Sequence, residues 1–222
     1  MKNLTLIIPA KNEEISLPKV LEEIKKYKCK KIIILSKKDK KTFDAISNFK
    51  CKIIKQKIDG YGAALIEGIE NVKTKYLCIF NADGSFDPKY LNKMINYANK
   101  NYDFIFASRY AHSGGSTDDT PLTYVGNKIF TFLGNFLFQL KISDILFTYI
   151  LGNTNKFKKL NLNSRDFRLC VEIPIKIKRN KFSYKCIPSV ERSRIGGKKN
   201  VNEFIDGFLI LYSMIKYFIK KQ

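Results

Sequence analysis

Hydrophobic and polar positions fall into two kinds of block along the first half of the chain. Runs of strand length stand at Leu4–Ile8, Lys31–Leu35 and Tyr76–Phe80, with a weaker one at Cys51–Ile54 and a fifth at Asp103–Ala107. Nearly unbroken apolar runs of this length mark strands covered on both faces. Between them the spacing turns helical. Ile15, Val20, Leu21, Ile24 and Tyr27 share a face with lysines interspersed, and a short helix is predicted around Thr42–Asn48. Gly60-Tyr61-Gly62 opens a third helix through Ala63, Ala64, Ile66, Ile69 and Val72. Asp87-Pro88 opens a fourth, Tyr90–Asn99: the carboxylate accepts from free N–H groups, and proline suits the first helical position. Strands alternating with helices predict an α/β fold with a mostly parallel central sheet flanked by helices.

After Ser108 the pattern changes. Tyr110–Thr120 is a polar loop too long for a simple connection. A helix is predicted over Thr123–Leu140, a helix or helix-strand unit over Phe167–Lys178, and a late strand over Tyr184–Pro188. The strand runs into the basic segment ERSRIGGKKN, and an apolar helix follows from about Val201 to Ile219. This predicts one main domain over 1–200, with 201–222 as an amphipathic helix packed on it or laid on a membrane surface.

Composition changes the picture in three places. The net charge of +21 attracts polyanions: nucleic acid, anionic headgroups or phosphorylated small molecules. Basic residues are spread over the whole chain without a helix-turn-helix or RNA-recognition pattern, so no specific nucleic acid is expected. Five cysteines without a CxxC pair predict reduced thiols and a cytoplasmic setting. A single histidine, His112, argues against His-rich metal sites and a Ser-His-Asp triad. Lys2-Asn3 leads straight into strand pattern, so no signal peptide is expected, and charges interrupt both long apolar stretches, so no bilayer span is expected either.

Candidate chemistry gathers at the ends of predicted strands, which a parallel sheet places along one edge. Asn81-Ala82-Asp83-Gly84-Ser85 is an acidic turn whose oxygen side chains suit a hard divalent cation holding phosphate, or simply turn chemistry. Asn12 and Glu13, after Pro9-Ala10, are placed to bond a base or ribose, or to cap a helix. Gly60 and Gly62 let backbone approach a nucleotide, or merely turn. Arg109 offers a planar fork to phosphate. Arg192, Arg194, Gly196, Gly197, Lys198 and Lys199 form a second basic cluster.

The order of these pieces (PxxNE, GYGAA, NADGSFDPKYL, ASRY and a late RIGGKK) resembles family 2 glycosyltransferases of the GT-A fold. The likeness is to the dolichyl-phosphate mannosyltransferase and polyprenyl-phosphate glycosyltransferase branch, and runs from Leu4 to about Asn202. It implies that Pro9, Ala10, Asn12, Glu13, Gly60, Gly62, Asn81 and Ala82 meet the donor nucleotide. It implies that Asp83 holds Mg²⁺ or Mn²⁺, with Ser85 as a further metal-facing oxygen. Arg109, Arg194 and Lys199 would then face phosphates. Two positions depart from the family pattern. Asn81 replaces the first acid of the DxD-like motif, and Ser36-Lys37-Lys38-Asp39 replaces an acidic turn that touches the base, where Asp39 is the available substitute.

The implied reaction is inverting transfer from a nucleotide-diphosphate sugar. A polyprenyl-phosphate acceptor at the cytosolic membrane face, in glycolipid or cell-surface glycan synthesis, needs no strong base. A sugar-hydroxyl acceptor needs one, and Asp118 or Asp119 is the candidate. The competing classes are a nucleotidyltransferase, which would release pyrophosphate, and a non-catalytic lipid- or protein-binding relative. The phenylalanine-rich faces of 130–138 and 208–218 suit a membrane interface or a partner subunit, so a homo-oligomer stays open.

Overall fold

Leu4, Leu6 and Ile8 lie on one side of the first strand and Ile7 on the other, and all four are fully buried. That strand, β1 (Leu4–Ala10), is therefore covered on both faces, as its unbroken apolar run requires. The computed structural model describes residues 1–196 and 202–220. In chain order β1 is followed by α1 (Ser16–Glu23), β2 (Lys30–Leu35), α2 (Lys40–Ala45), β3 (Lys52–Lys55), α3 (Tyr61–Asn71), β4 (Tyr76–Ile79), α4 (Tyr90–Asn99) and β5 (Phe104–Ser108). Then come β6 (Gly115–Ser116), α5 (Pro121–Phe138), β7 (Ile150–Asn153), α6 (Thr154–Lys159), α7 (Leu169–Arg179), β8 (Tyr184–Pro188), β9 (Val190–Glu191) and α8 (Glu203–Ile219).

Seven strands form the central sheet in the order β3-β2-β1-β4-β7-β5-β8. The chain builds outward from β1 through β2 to β3, then returns to lay β4 on the other side of β1. The crevice beyond β1 and β4 is thus the point where strand order reverses, the usual ligand position in open α/β sheets. All pairings are parallel except those of β7, which runs antiparallel between β4 and β5. β7 and α6 have no counterpart in the elements predicted from sequence. Four residues are too few for a periodicity signal, and Gly152 in β7 weakens it further. A Cβ there would stand 2.5 Å from Phe104 and 2.8 Å from Phe157, so glycine is what lets these rings close over the strand.

One apolar cluster, including Leu6, Ile8, Leu17, Leu21, Leu91 and Met94, packs α1 and α4 on one sheet face. A second, including Ile7, Ile34, Leu65, Ile69, Phe157 and Ile173, packs α3, α6 and α7 on the other. Each such side chain contributes about 1.5–3 kcal/mol by burial. A third cluster (Leu140, Ile142, Ile145, Val171, Ile175, Ile210 and Met214) joins α5, α7 and α8 beside the sheet. α5 begins at a Thr120–Thr123 capping box with Pro121 at its start, and α8 begins at Asn202, whose side chain accepts from Ile205 N. All five cysteines are free thiols. Among the described residues no helix is long and apolar enough to cross a membrane.

Candidate active site

A cavity of about 610 Å³ opens at the switch point. Pro9, Ala10 and Glu13 wall it from the end of β1, Asn81, Ala82 and Asp83 from the end of β4, and Gly60 and Tyr61 from the start of α3. Arg109, Asp118, Asp119 and Arg194 close the polar side. Leu122 and Phe130 of α5, with Phe204 and Ile210 of α8, form an apolar annex. The strand-end features thus meet in one volume.

The acidic turn is stiff. Asp83 Oδ1 accepts from Ser85 N at 2.9 Å and from Ser85 Oγ at 2.6 Å, and Asn81 Nδ2 donates to Ser85 Oγ at 3.2 Å. Phe86 packs under it against Tyr149, Phe80 and Phe147. Asp83 Oδ2 remains on the cavity side, 3.9 Å from Arg194 Nη1. Ser85, expected as a further metal-facing oxygen, is 1% exposed, and its hydroxyl donates to Asp83 and so sets the direction of that carboxylate.

The basic segment is laid along this same turn. Ile195 N donates to Asp83 O, Arg192 N to Ser85 O, and Phe86 bridges to Glu191. Gly84 has φ +84°, and a Cβ there would stand 2.5 Å from Ile195 Cδ1, so glycine is needed for both the backbone and the close approach. Arg192 forks onto Glu23 at 2.8 and 2.9 Å, and Arg194 onto Asp118 with Nη2 to Oδ2 at 2.8 Å. Gly197, Lys198 and Lys199 lie outside the described residues.

Arg109 lines the cavity with its guanidinium held by carboxylates: Asp144 at 2.7 and 3.0 Å, Glu191 at 3.3 Å and Asp119 at 3.4 Å. Burial alone would pull its pKa down, but Asp144 and then Glu191 hold it above the ordinary arginine value. Burial pushes the Glu191 carboxyl up, against the opposing pull of Arg109 and Ser116. Asp119 also accepts from Tyr110 Oη at 2.6 Å and Thr123 Oγ1 at 3.2 Å. Both candidate bases, Asp118 and Asp119, are therefore held by neighbours on the cavity wall.

The expected nucleotide contacts divide. Asn12 is exposed with φ +59°, its N donating to Asp39 Oδ2, while Asp39 Oδ1 caps α2 through Thr42 N at 3.1 Å. Asp39 therefore fastens the turn after β1 to α2. Neither Asn12 nor Glu13 caps α1, which starts at Ser16 without a side-chain cap. Glu13 accepts from Ser16 Oγ, and burial, with Asp83 nearby, pushes its carboxyl above the ordinary range despite that hydrogen bond. Gly60, which lines the cavity, and Gly62 both closely approach the chain at 164–165. A Cβ at either would stand about 2.1–2.2 Å from the carbonyl of Arg165 or Ser164. Tyr61, stacked on Phe167 and bonded to Thr148 at 2.7 Å, is a cavity residue that sequence reading missed, as are Gln56 and Asp59.

Among the described residues no three His, Cys, Asp or Glu side chains close into a metal-binding group. Asp83 Oδ2, which accepts no hydrogen bond from the acidic turn, still suits Mg²⁺ or Mn²⁺ bound largely through substrate phosphates and water, with the Asn81 amide as a second ligand.

The mostly parallel sheet with its β4 acidic turn at the switch point defines the GT-A class of nucleotide-binding folds. The model of Glycosyl transferase family 2 matches residues 5–160, and the chain belongs to that family. It is 25% identical over 169 residues to glycosyltransferase AglJ of Haloferax volcanii, covering 74% of this chain and 55% of that protein. The chain thus spans about half the length of this curated relative. Glucosyl-3-phosphoglycerate synthase of Mycobacterium tuberculosis, solved with Mn²⁺, UDP and phosphoglyceric acid, is similar in fold at TM-score 0.76 and 10% identity, covering 98% of this chain and 78% of that one. Mannosyl-3-phosphoglycerate synthase of Rubrobacter xylanophilus matches at TM-score 0.75 and 11% identity, over 98% of this chain and 74% of its own.

Proposed function

We propose that this protein transfers a sugar, with inversion, from a nucleotide-diphosphate donor to a polyprenyl phosphate at the cytosolic face of a membrane. The observation that carries the reading is the single cavity uniting Asp83 and Arg194 with the apolar annex of α5 and α8. Its polar end suits a diphosphate, and its apolar end suits the first part of a lipid chain. An acceptor phosphate oxygen would form the new bond to the anomeric carbon as the bond to the donor's β-phosphate breaks, and the nucleoside diphosphate leaves.

Mg²⁺ or Mn²⁺, held by Asp83 with Asn81, would neutralise charge on the departing diphosphate. Arg194 lies near enough to Asp83 to exchange Asp118 for that diphosphate, and Lys199 is proposed beside it from the sequence motif. Pro9, Ala10, Glu13 and Ala82 are proposed to border the nucleotide. Arg109 is assigned to hold Asp119, Asp144 and Glu191 in place. An anionic acceptor needs no proton removed, which agrees with Asp118 and Asp119 both being engaged.

The apolar stripes support membrane attachment. Leu122, Val125, Ile129, Phe132 and Phe136 on α5, and Phe204, Phe208, Leu211, Ile215 and Ile219 on α8, are all exposed. Mixing the protein with radiolabelled nucleotide sugars, Mg²⁺ or Mn²⁺, and polyprenyl phosphate tests the reading. Label in the lipid phase with release of nucleoside diphosphate is the expected result. Label appearing only on a sugar hydroxyl would remove the lipid acceptor, and released pyrophosphate would remove sugar transfer altogether.

A further inference from the structure

A second cavity, of about 740 Å³, lies away from the first, between the α6–α7 connection, α7 and the C-terminal half of α8. Six cations line it: Lys159, Arg168, Lys176, Arg179, Lys216 and Lys220. No Asp or Glu side chain lines it among the described residues.

The cations fall into two sets. Three form a braced floor. Lys176 pairs at 2.7 Å with Glu172, which is fully buried and also accepts from Asn163 N and Ser164 N. Arg168 forks onto Asp166, and Arg179 donates to the carbonyls of Tyr217 and Lys220 at the end of α8. The other three, Lys159, Lys216 and Lys220, are exposed, and their ammonium groups have no ion-pair partner among the described residues. Like charges converging on one concavity create a field that draws an anion in.

The position of the groove narrows the anion. Tyr212 and Lys216 stand one turn apart on α8, and Lys220 follows at its C-terminal cap. The neighbouring row of the same helix carries exposed Leu211, Ile215 and Ile219. Ammonium groups bordering an apolar row are the arrangement that meets phosphate headgroups while the apolar side chains enter the acyl boundary.

We infer that this groove binds the phosphate of an anionic phospholipid headgroup and orients the protein on the bilayer independently of the sugar acceptor. The inference rests on the membrane reading of α5 and α8 given above. A free phosphate shares the same chemistry, so the test separates the two sources.

Flotation with vesicles of phosphatidylcholine, with and without phosphatidylglycerol, measures it. Three forms are compared with the unaltered protein. K159Q/K216Q removes two unpartnered groove charges. K37Q/K41Q removes the same charge from the segment after β2. F132S/F208S breaks the apolar stripes. The expected result is preference for phosphatidylglycerol, weakened roughly thirtyfold in K159Q/K216Q at about one surface lysine's worth of attraction per site. K37Q/K41Q should change it only slightly, and F132S/F208S should lose binding to both vesicles.

Equal loss in K37Q/K41Q would overturn the groove in favour of net charge. Wild-type binding by K159Q/K216Q would overturn it directly, with the membrane reading intact. Failure of every form to float would overturn both readings. A thermal shift with inorganic phosphate that K159Q/K216Q loses, without any phosphatidylglycerol preference, would overturn the headgroup in favour of free phosphate.

Discussion

Arg109 and Arg194 line the switch-point cavity, and each already grips carboxylates: Asp144, Glu191 and Asp119 for the first, Asp118 for the second. In the groove beneath α8, Lys159, Lys216 and Lys220 grip none among the described residues. The contrast separates two uses of positive charge. Under the proposed function, planar guanidinium forks fixed by acids hold in place the atoms that bond-breaking needs. Where a surface need only attract phosphate, solvated ammonium groups on flexible stems suffice. The excess of basic over acidic residues, 41 against 20, is therefore unevenly spent.

The largest test of this contrast is Arg109→Met. It would leave Asp144, Asp119 and Glu191 without their shared cation, and loss of a buried partner of this kind costs about 3–5 kcal/mol. Urea unfolding should show the loss, whereas Lys216→Gln should stay within about 0.5 kcal/mol of the unaltered protein. A small effect of Arg109→Met would mean that the carboxylates re-pair or protonate easily, and that the cavity is not braced by this residue.

Asp83→Ala comes next. Loss of the one carboxylate oxygen on the cavity side of the acidic turn should lower sugar transfer by about 10²–10³-fold, the usual scale for a group that stabilises developing charge. Ser85→Ala keeps that carboxylate and removes only the hydroxyl that directs it. A smaller loss, about 10–100-fold in affinity for Mg²⁺ or Mn²⁺, is expected from such support. Equal activity of Asp83→Ala and the unaltered protein in a radiolabel assay would refute the assignment of this turn. Gly84→Ala should cost about 1–3 kcal/mol of stability, because an alanine there is strained at φ +84° and meets Ile195.

These residues also show which parts of the molecule could be read in advance. β1, β2, β4, β5 and the turns after them were legible because each is a local pattern of apolar run and turn residues. Their convergence followed from parallel strand order. β7 was not legible, since four residues with a central glycine carry no period. The partners of Arg109 and Gly60 were not legible for a different reason. Arg109 meets Asp144 and Glu191 from 35 and 82 positions away, and Gly60 meets the carbonyl of Arg165, so neither partner is visible in a motif. The groove has no motif at all. Lys159, Lys176 and Lys216 become neighbours only because α7 and α8 pack through Val171, Ile175, Ile210 and Met214.

The smallest test uses two buried glutamates, one on each side of the contrast. Glu172 supports the groove floor. Burial would raise its carboxyl, but Lys176 and the Ser164 and Asn163 amides outweigh that and hold it below the ordinary range. A depressed carboxyl contributes stability that is present above the ordinary carboxylate range and lost as pH falls through the lowered value. Glu172→Gln should therefore cost about 1 kcal/mol at pH 7, with the difference closing in acid. Glu191 has the opposite sign, because burial outweighs Arg109 and Ser116 and its carboxyl is raised. Its contribution is complete below the ordinary range and is lost as pH rises through the raised value. Glu191→Gln should thus equal the unaltered protein in acid and match or exceed it at pH 7, by no more than about 1 kcal/mol. Urea midpoints measured from about pH 2.5 to 8 read both slopes at once. Parallel slopes for the two variants would mean that the arginine-braced cavity and the lysine groove treat buried acid alike, and the contrast between them would fail at its base.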